Sequence, residues 1–252
     1  MKILIVISCL VAVSVGQFKD PPPFLKLCNI QDPKRDICIK NSLQEFLIDL
    51  PKNPNYFDFI QFEPFTYEPY TFKYDYGDFL KGYFKLFDGK GYGLKNTKVL
   101  KLKSDFTDKD MKILALVHMP KLFATANLDT KFELGSLKYE NTIPFNATFR
   151  DVTTRWTIKG KIEERDGEQF MKIVLFDVLP EAKELVFGTS DVFPNEQLND
   201  LFIGFINQNW KIFYNVMIGE TRKQWEPVFR NVTNKFFEQI PFRKLVLSND
   251  SF

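Results

Sequence analysis

Residues 207–241 constrain this chain more than any other segment, because they repeat large apolar side chains at helical spacing and keep charge on the other side. Ile206, Trp210, Phe213, Met217, Thr221, Trp225, Phe229, Val232, Phe236 and Ile240 follow at steps of three or four, one face of a 3.6-residue helix. At 1.5 Å per residue such a helix spans roughly 50 Å. An apolar face of that length needs an equally long cover: a wrapped sheet, a partner helix or an apolar ligand. Pro227 lies within it and predicts a bend near residues 225–229, since proline removes a helical hydrogen bond.

The first residues read as a targeting signal. Lys2 gives a positive start, residues 3–13 are apolar, and Ser14-Val15-Gly16 supplies the small residues of a cleavage site. The expected division is therefore a signal peptide at 1–16 and a single domain at 17–252, secreted and extracellular. No other segment reaches the 18 apolar residues of a membrane span, so no stable membrane insertion is expected. Loss of Cys9 with the signal leaves Cys28 and Cys38, which in an oxidising compartment are expected to pair as a structural disulfide. A metal or redox pair has no support: the spacing is not C-x-x-C, and His118 is the only histidine. A net charge of +2 leaves no basic field for nucleic acid. The aromatic content, 28 Phe with nine Tyr and three Trp, fills a large core or lines an apolar cavity.

Along the chain, residues 32–50 predict a helix with Asp32 as N-cap and Pro33 at the first position, ended by Leu50-Pro51. From about residue 59 to 186 the period changes to two, with turn signals at Thr107-Asp108-Lys109-Asp110, Gly135-Ser136 and Asp166-Gly167. The last is the clearest hairpin. The order is short helix, long antiparallel sheet, long C-terminal helix. This predicts the α+β class, with a strongly curved antiparallel β-sheet wrapped round the long helix.

Enzyme motifs are lacking: there is no Gly-x-Ser-x-Gly elbow, no HExxH and no P-loop. A hydrolase triad would have to use His118, which alternates with Leu114 and Leu116 and reads as a buried or cavity histidine on their strand face. No enzyme activity and no cofactor are expected. Metal binding would need a carboxylate cluster, and no EF-hand spacing occurs.

The sequence resembles the insect takeout / haemolymph juvenile hormone binding protein family over nearly its whole mature length. The resemblance rests on Pro23-Phe24-Leu25-Lys26-Leu27-Cys28 with Cys38, on Leu50-Pro51 followed by Glu63-Pro64-Phe65, and on Gly93-Leu94-Lys95-Asn96. It is strongest from Asn207-Gln208-Asn209-Trp210 to Ile240-Pro241. It implies a tubular lipid-binding fold that carries hydrophobic small molecules such as terpenoid hormones. Two cysteines allow no second disulfide, which places the chain nearer the takeout branch. Ile143-Pro144-Phe145-Asn146 departs from the family's Gly-x-Gly, and Gly219 stands where proline is common.

The expected function is a secreted, monomeric carrier holding a juvenile-hormone-like terpenoid, fatty acid or other lipid in an internal apolar tunnel. The alternative is a secreted assembly protein with a dry core. Ligand contacts are expected from Trp225, Val228, Phe229, Val232 and Phe236, with Arg155, Tyr74 or His118 as a polar anchor. Sequons at Asn146, Asn231 and Asn249 are candidate glycosylation sites.

Overall fold

The computed structural model describes residues 19–53, 63–75, 77, 80–190 and 192–247. The expected signal segment and Asn249 lie outside them. The elements are β1 (Cys28–Asn29), α1 (Arg35–Asp49), β2 (Phe65–Tyr67), β3 (Tyr70–Asp75), β4 (Leu80–Tyr92), β5 (Lys98–Phe106), β6 (Asp110–Leu134), β7 (Leu137–Arg165), β8 (Glu168–Glu181), β9 (Glu184–Thr189), α2 (Glu196–Gln208), α3 (Trp210–Phe237), α4 (Phe242–Leu245) and β10 (Val246–Leu247). This is the α+β order that the change of period predicts.

Strands β2 to β9 make one antiparallel sheet. β6 and β7 are its spine, paired from Asp110↔Lys161 to Leu134↔Leu137. Each carries two shorter strands end to end on its other edge: β5 then β4 along β6, and β8 then β9 along β7. Asp166 and Gly167 join β7 to β8 with φ of 54° and 75°, the left-handed pair that a two-residue hairpin needs. β1 and β10 pair in parallel, bringing the disulfide Cys28–Cys38 beside the C-terminal segment.

An open sheet edge exposes unpaired backbone groups, and here helices cover β5 on one edge and β8 and β9 on the other with side-chain hydrogen bonds. On β5, the Gln44 amide of α1 donates to the Thr97 carbonyl (2.9 Å) and accepts from the Val99 N–H (2.8 Å). The Asp36 carboxylate accepts from the Ser104 N–H (2.8 Å) and hydroxyl (2.6 Å). On β8, the buried Asn234 of α3 accepts from the Ile173 N–H (2.7 Å) and donates to its carbonyl (2.9 Å). On β9, Asn207 of α2 makes the same pair of bonds to Phe187 (2.8 and 3.0 Å).

α1 and α3 then meet, with the Phe46 and Phe236 rings edge-on at 5.5 Å. One end of the molecule is thereby a closed ring of β5, β6, β7, β8, α3 and α1. Its interior is filled: Met111, Met171, Ile173, Phe176 and Val178 pack together, and Leu102, Ala115 and Val117 pack beneath Ile39 and Leu43 of α1. Leu50, Phe236 and Ile240 seal the helix contact.

The two long strands exchange faces halfway. Met111, Ala115, Val117 and Met119 of β6 are buried, and beyond them Ala126; on β7, Val152 and Thr154 are buried on one side and Ala147 and Ile143 on the other. Parity therefore changes between Met119 and Ala126, and between Ala147 and Val152. Pro120, Lys121, Arg150 and Asp151 are all exposed at the crossover, where Asp151 has φ 48°. The flanking strands change at the same level, β5 giving way to β4 and β8 to β9.

Three expectations need correction. First, α1 begins at Arg35 rather than after an Asp32 cap; Asp32 instead accepts from the Lys34 N–H (2.7 Å), so Pro33 belongs to the preceding turn. Second, the terminal stripe is two helices. α2 starts at Glu196 behind the Asn195 cap, and the break falls at Asn209, whose side chain donates to the Phe205 carbonyl (2.9 Å). α3 runs on through Pro227 to Phe237, leaving Ile240-Pro241 beyond it. Third, His118 is not inward. Leu114, on its strand face, is 42 % exposed, and the imidazole lies 3.4 Å from the Asp151 carboxylate on the outer surface.

Candidate ligand-binding trough

Beyond the crossover the inner face is aromatic rather than aliphatic. β2 to β4 present Phe65, Tyr67, Phe72 and Phe84, while β6, β7 and β9 present Phe132, Tyr139, Phe145 and Phe187. The register keeps these on one side: Phe65↔Gly91, Tyr67↔Gly89, Phe72↔Phe84, Phe132↔Tyr139 and Ala147↔Phe187. Gly89 and Gly91 have to be glycine, because a Cβ there would lie 2.0 Å from the rings of Tyr67 and Phe65. The rings contact in sequence across the wall, Phe132 to Tyr139 (4.9 Å), Tyr139 to Phe193 (6.2 Å) and Phe193 to Phe202 of α2 (5.6 Å). Phe145 and Phe187 meet at 5.7 Å.

None of these rings is buried in the manner of the packed end; all are half-buried, and Phe202 is 38 % exposed. α2 rests on β9 and leaves an uncovered apolar stripe beside them: Leu198 52 %, Leu201 70 % and Phe205 58 % exposed, continued by Ile212 at 62 %. The result is an apolar trough, floored by sheet aromatics, flanked by α2 and stopped by the packed end.

Polar atoms in this wall are turned to the backbone. The Tyr139 hydroxyl donates to the Val192 carbonyl (2.7 Å) and Tyr67 to Thr125 (3.3 Å), where burial raises the Tyr67 pKa. Tyr214 donates to the Pro180 carbonyl (2.6 Å), and burial, helped by the charge of Glu181, pushes its hydroxyl up to about 12. The Tyr67 and Tyr214 hydroxyls are therefore neutral at physiological pH. Ion pairs such as Lys131–Glu140 (2.8 Å) and Lys81–Glu133 (3.3 Å) occupy the opposite face. Such a surface can shelter a hydrocarbon.

Two clefts elsewhere have charged walls. One of about 260 Å³ lies at the β5–β6 turn between Asp105, Asp110, Lys112 and Lys159; one of about 400 Å³ lies between Lys73, Asp75, Lys81 and Lys131. Neither involves α2 or α3. Among the described residues no group of His, Cys, Asp and Glu is arranged to hold a metal, and no helix is long and apolar enough to cross a membrane.

Of the sequence-predicted ligand residues, Phe229 and Phe236 stand in the packed end, and Trp225 lies one helical turn nearer the trough than Phe229. Phe236 is 9 % exposed and packs on Leu50 and Ile240; Phe229 touches the Phe176 ring at 5.6 Å. Val228 is 41 % exposed, and Trp225 and Val232 are half-buried. Arg155 points outward to Glu181 (3.1 Å), and the side chain of Tyr74 lies outside the described part of the structure. Of the sequons, Asn231 is exposed on α3 and Asn146 is half-buried within β7. The trough aromatics escaped sequence reading because their signal is an excess of Phe spread over six strands, with no local motif.

A family model described as haemolymph juvenile hormone binding protein (JHBP) matches residues 4–247. The crystal structure of takeout 1 from Epiphyas postvittana superposes with a TM-score of 0.64 at 19 % identity, over 89 % of this chain and 100 % of that one. A lipopolysaccharide binding protein structure aligns over 66 % of this chain and 34 % of its own, with a TM-score of 0.29 at 11 % identity. No curated protein matches the chain.

Proposed function

Because the chain belongs to the haemolymph juvenile hormone binding protein family, we propose that it is a secreted, monomeric carrier that holds a terpenoid, fatty acid or other lipid in its aromatic trough. Residues 1–16 are its signal peptide and 17–252 its carrier domain. The observation that carries this reading is the inner face beyond the crossover: aromatic rings lie half-exposed on a sheet whose other half is tightly packed. Apolar surface left open in this way gains roughly 25 cal/mol for each Å² that a ligand covers. The polar hydroxyls of the wall are already paired with backbone, so a ligand need not desolvate them.

Native mass spectrometry of protein from its own tissue is the direct test, and a co-purifying lipid is expected. Displacement of a fluorescent apolar probe by farnesoids or fatty acids, with a rise in melting temperature, is the solution counterpart. Failure of every such compound to bind would remove the carrier reading.

One observation favours the alternative of an assembly protein, namely the exposed stripe of α2. An assembly built on it would be oligomeric by light scattering and indifferent to lipid. A carrier would be monomeric and stabilised by lipid.

A further inference from the structure

We propose that the closed end of the trough holds a polar subsite, formed by the Thr154 hydroxyl and the Trp225 indole N–H, that receives a neutral carbonyl oxygen of the cargo. The proposal rests on the carrier reading and adds the chemistry of the cargo's head. An aromatic layer crosses the packed end: Trp156 of β7 meets Phe176 of β8 at 5.5 Å, and Phe176 meets Phe229 of α3 at 5.6 Å. One repeat nearer the trough, the same elements contribute Thr154, Val178 and Trp225. The steps match in length, since two strand residues advance about 6.6 Å and four helical residues about 6 Å.

Val178 is apolar and buried, but its two layer neighbours each carry a donor. Thr154 has 0 % exposure, and neither its hydroxyl oxygen nor Trp225 Nε1 has a hydrogen-bond partner. Buried polar groups are nearly always paired, so two orphans in one layer ask for a ligand. The place is apt as well. Thr154 pairs in register with Val117 and Pro180, three residues from Asp151, where the strands exchange faces and the trough begins.

Donors from two walls suit one acceptor with two lone pairs, as a carbonyl oxygen has. A carboxylate is served less well. Arg222, about one turn from Trp225, is already held by both oxygens of Asp177 (3.0 and 2.6 Å). The cargo then lies with its carbonyl deep and its hydrocarbon directed along α2.

The test compares three probes of equal chain length, a methyl ketone, an n-alkane and a fatty acid, in displacement titrations on the full mature chain. Wild type should bind the ketone most tightly. Thr154→Val, which keeps the side-chain shape, should weaken the ketone about tenfold, one hydrogen bond's worth, and leave the alkane unchanged. The same substitution should raise the ligand-free melting temperature by a few degrees, because it deletes an unpaired buried group. Trp225→Phe should also weaken the ketone more than the alkane. A lowered melting temperature in Thr154→Val would show a structural hydroxyl and overturn the subsite. Equal binding of ketone and alkane by wild type would overturn the subsite while leaving the carrier reading intact. If wild type binds none of the three, both fall.

Discussion

Asn234 completes β8 as another strand would, pairing with both the N–H and the carbonyl of Ile173. It is 6 % exposed, so neither backbone group can turn to water when the amide is lost. Asn234→Ala should therefore destabilise by about 2–4 kcal/mol in urea unfolding, the cost of two buried groups left unpaired. Asn207→Ala, at a half-buried site, should cost about 1 kcal/mol. Asp36 does comparable work on β5 and adds a pH dependence. Its hydrogen bond from the Ser104 hydroxyl, opposed by desolvation and joined by the Ser104 N–H and Lys103, holds its carboxyl below the ordinary range. The folded pKa being depressed, this stabilisation is present above about pH 4, where the unfolded carboxyl also ionises, and is lost as pH falls through the folded value. Asp36→Asn should thus be less stable than wild type by about 1 kcal/mol near neutrality, with the gap closing as pH drops below about 4.

At the level of elements, the uncovered stripe of α2 separates stability from binding. Leu201 and Phe205 are 70 % and 58 % exposed. Leu201→Ser with Phe205→Ser should therefore change unfolding free energy by no more than about 0.5 kcal/mol. It should weaken binding of an apolar probe severalfold by taking away area that the ligand covers. Unchanged affinity combined with altered light scattering would assign the stripe to association instead. Much of this layout was legible from residue patterns. The apolar stripe predicted α3, the turn dipeptides located the β5–β6, β6–β7 and β7–β8 turns, and Cys28 with Cys38 gave the disulfide. The break at Asn209 was not legible, because Ile206, Trp210 and Phe213 keep helical spacing straight through it. Nor was the inward side of β6 and β7 readable end to end. Alternation assigns one face for a whole strand, and the exchange at Pro120 and Asp151 depends on a left-handed φ that no local pattern announced.

For the whole molecule, the halves on either side of that crossover differ in what holds them. The closed ring owes its cohesion to buried aliphatic and aromatic packing and to helices stitched along both edges. The trough half has half-buried rings and fewer sealed contacts, so its local opening should be the cheaper of the two. Hydrogen exchange of the ligand-free protein should then show faster exchange in β4, β9 and α2 than in β5, β8 and the C-terminal part of α3. A bound lipid supplies the missing interior of one half only. Its addition should slow exchange in β4, β9 and α2 by roughly its binding free energy, and leave β5 and α1 near their original rates. Uniform slowing over both halves would mean that the chain opens as a single cooperative unit, with stability drawn equally from each. Slowing confined to α1 and β5 would put the lipid at the wrong end and refute the trough as its seat. The predicted asymmetry follows from one structural contrast: the same two strands run through both halves, but beyond Asp151 the rings they present are half-buried, whereas the other end is tightly packed.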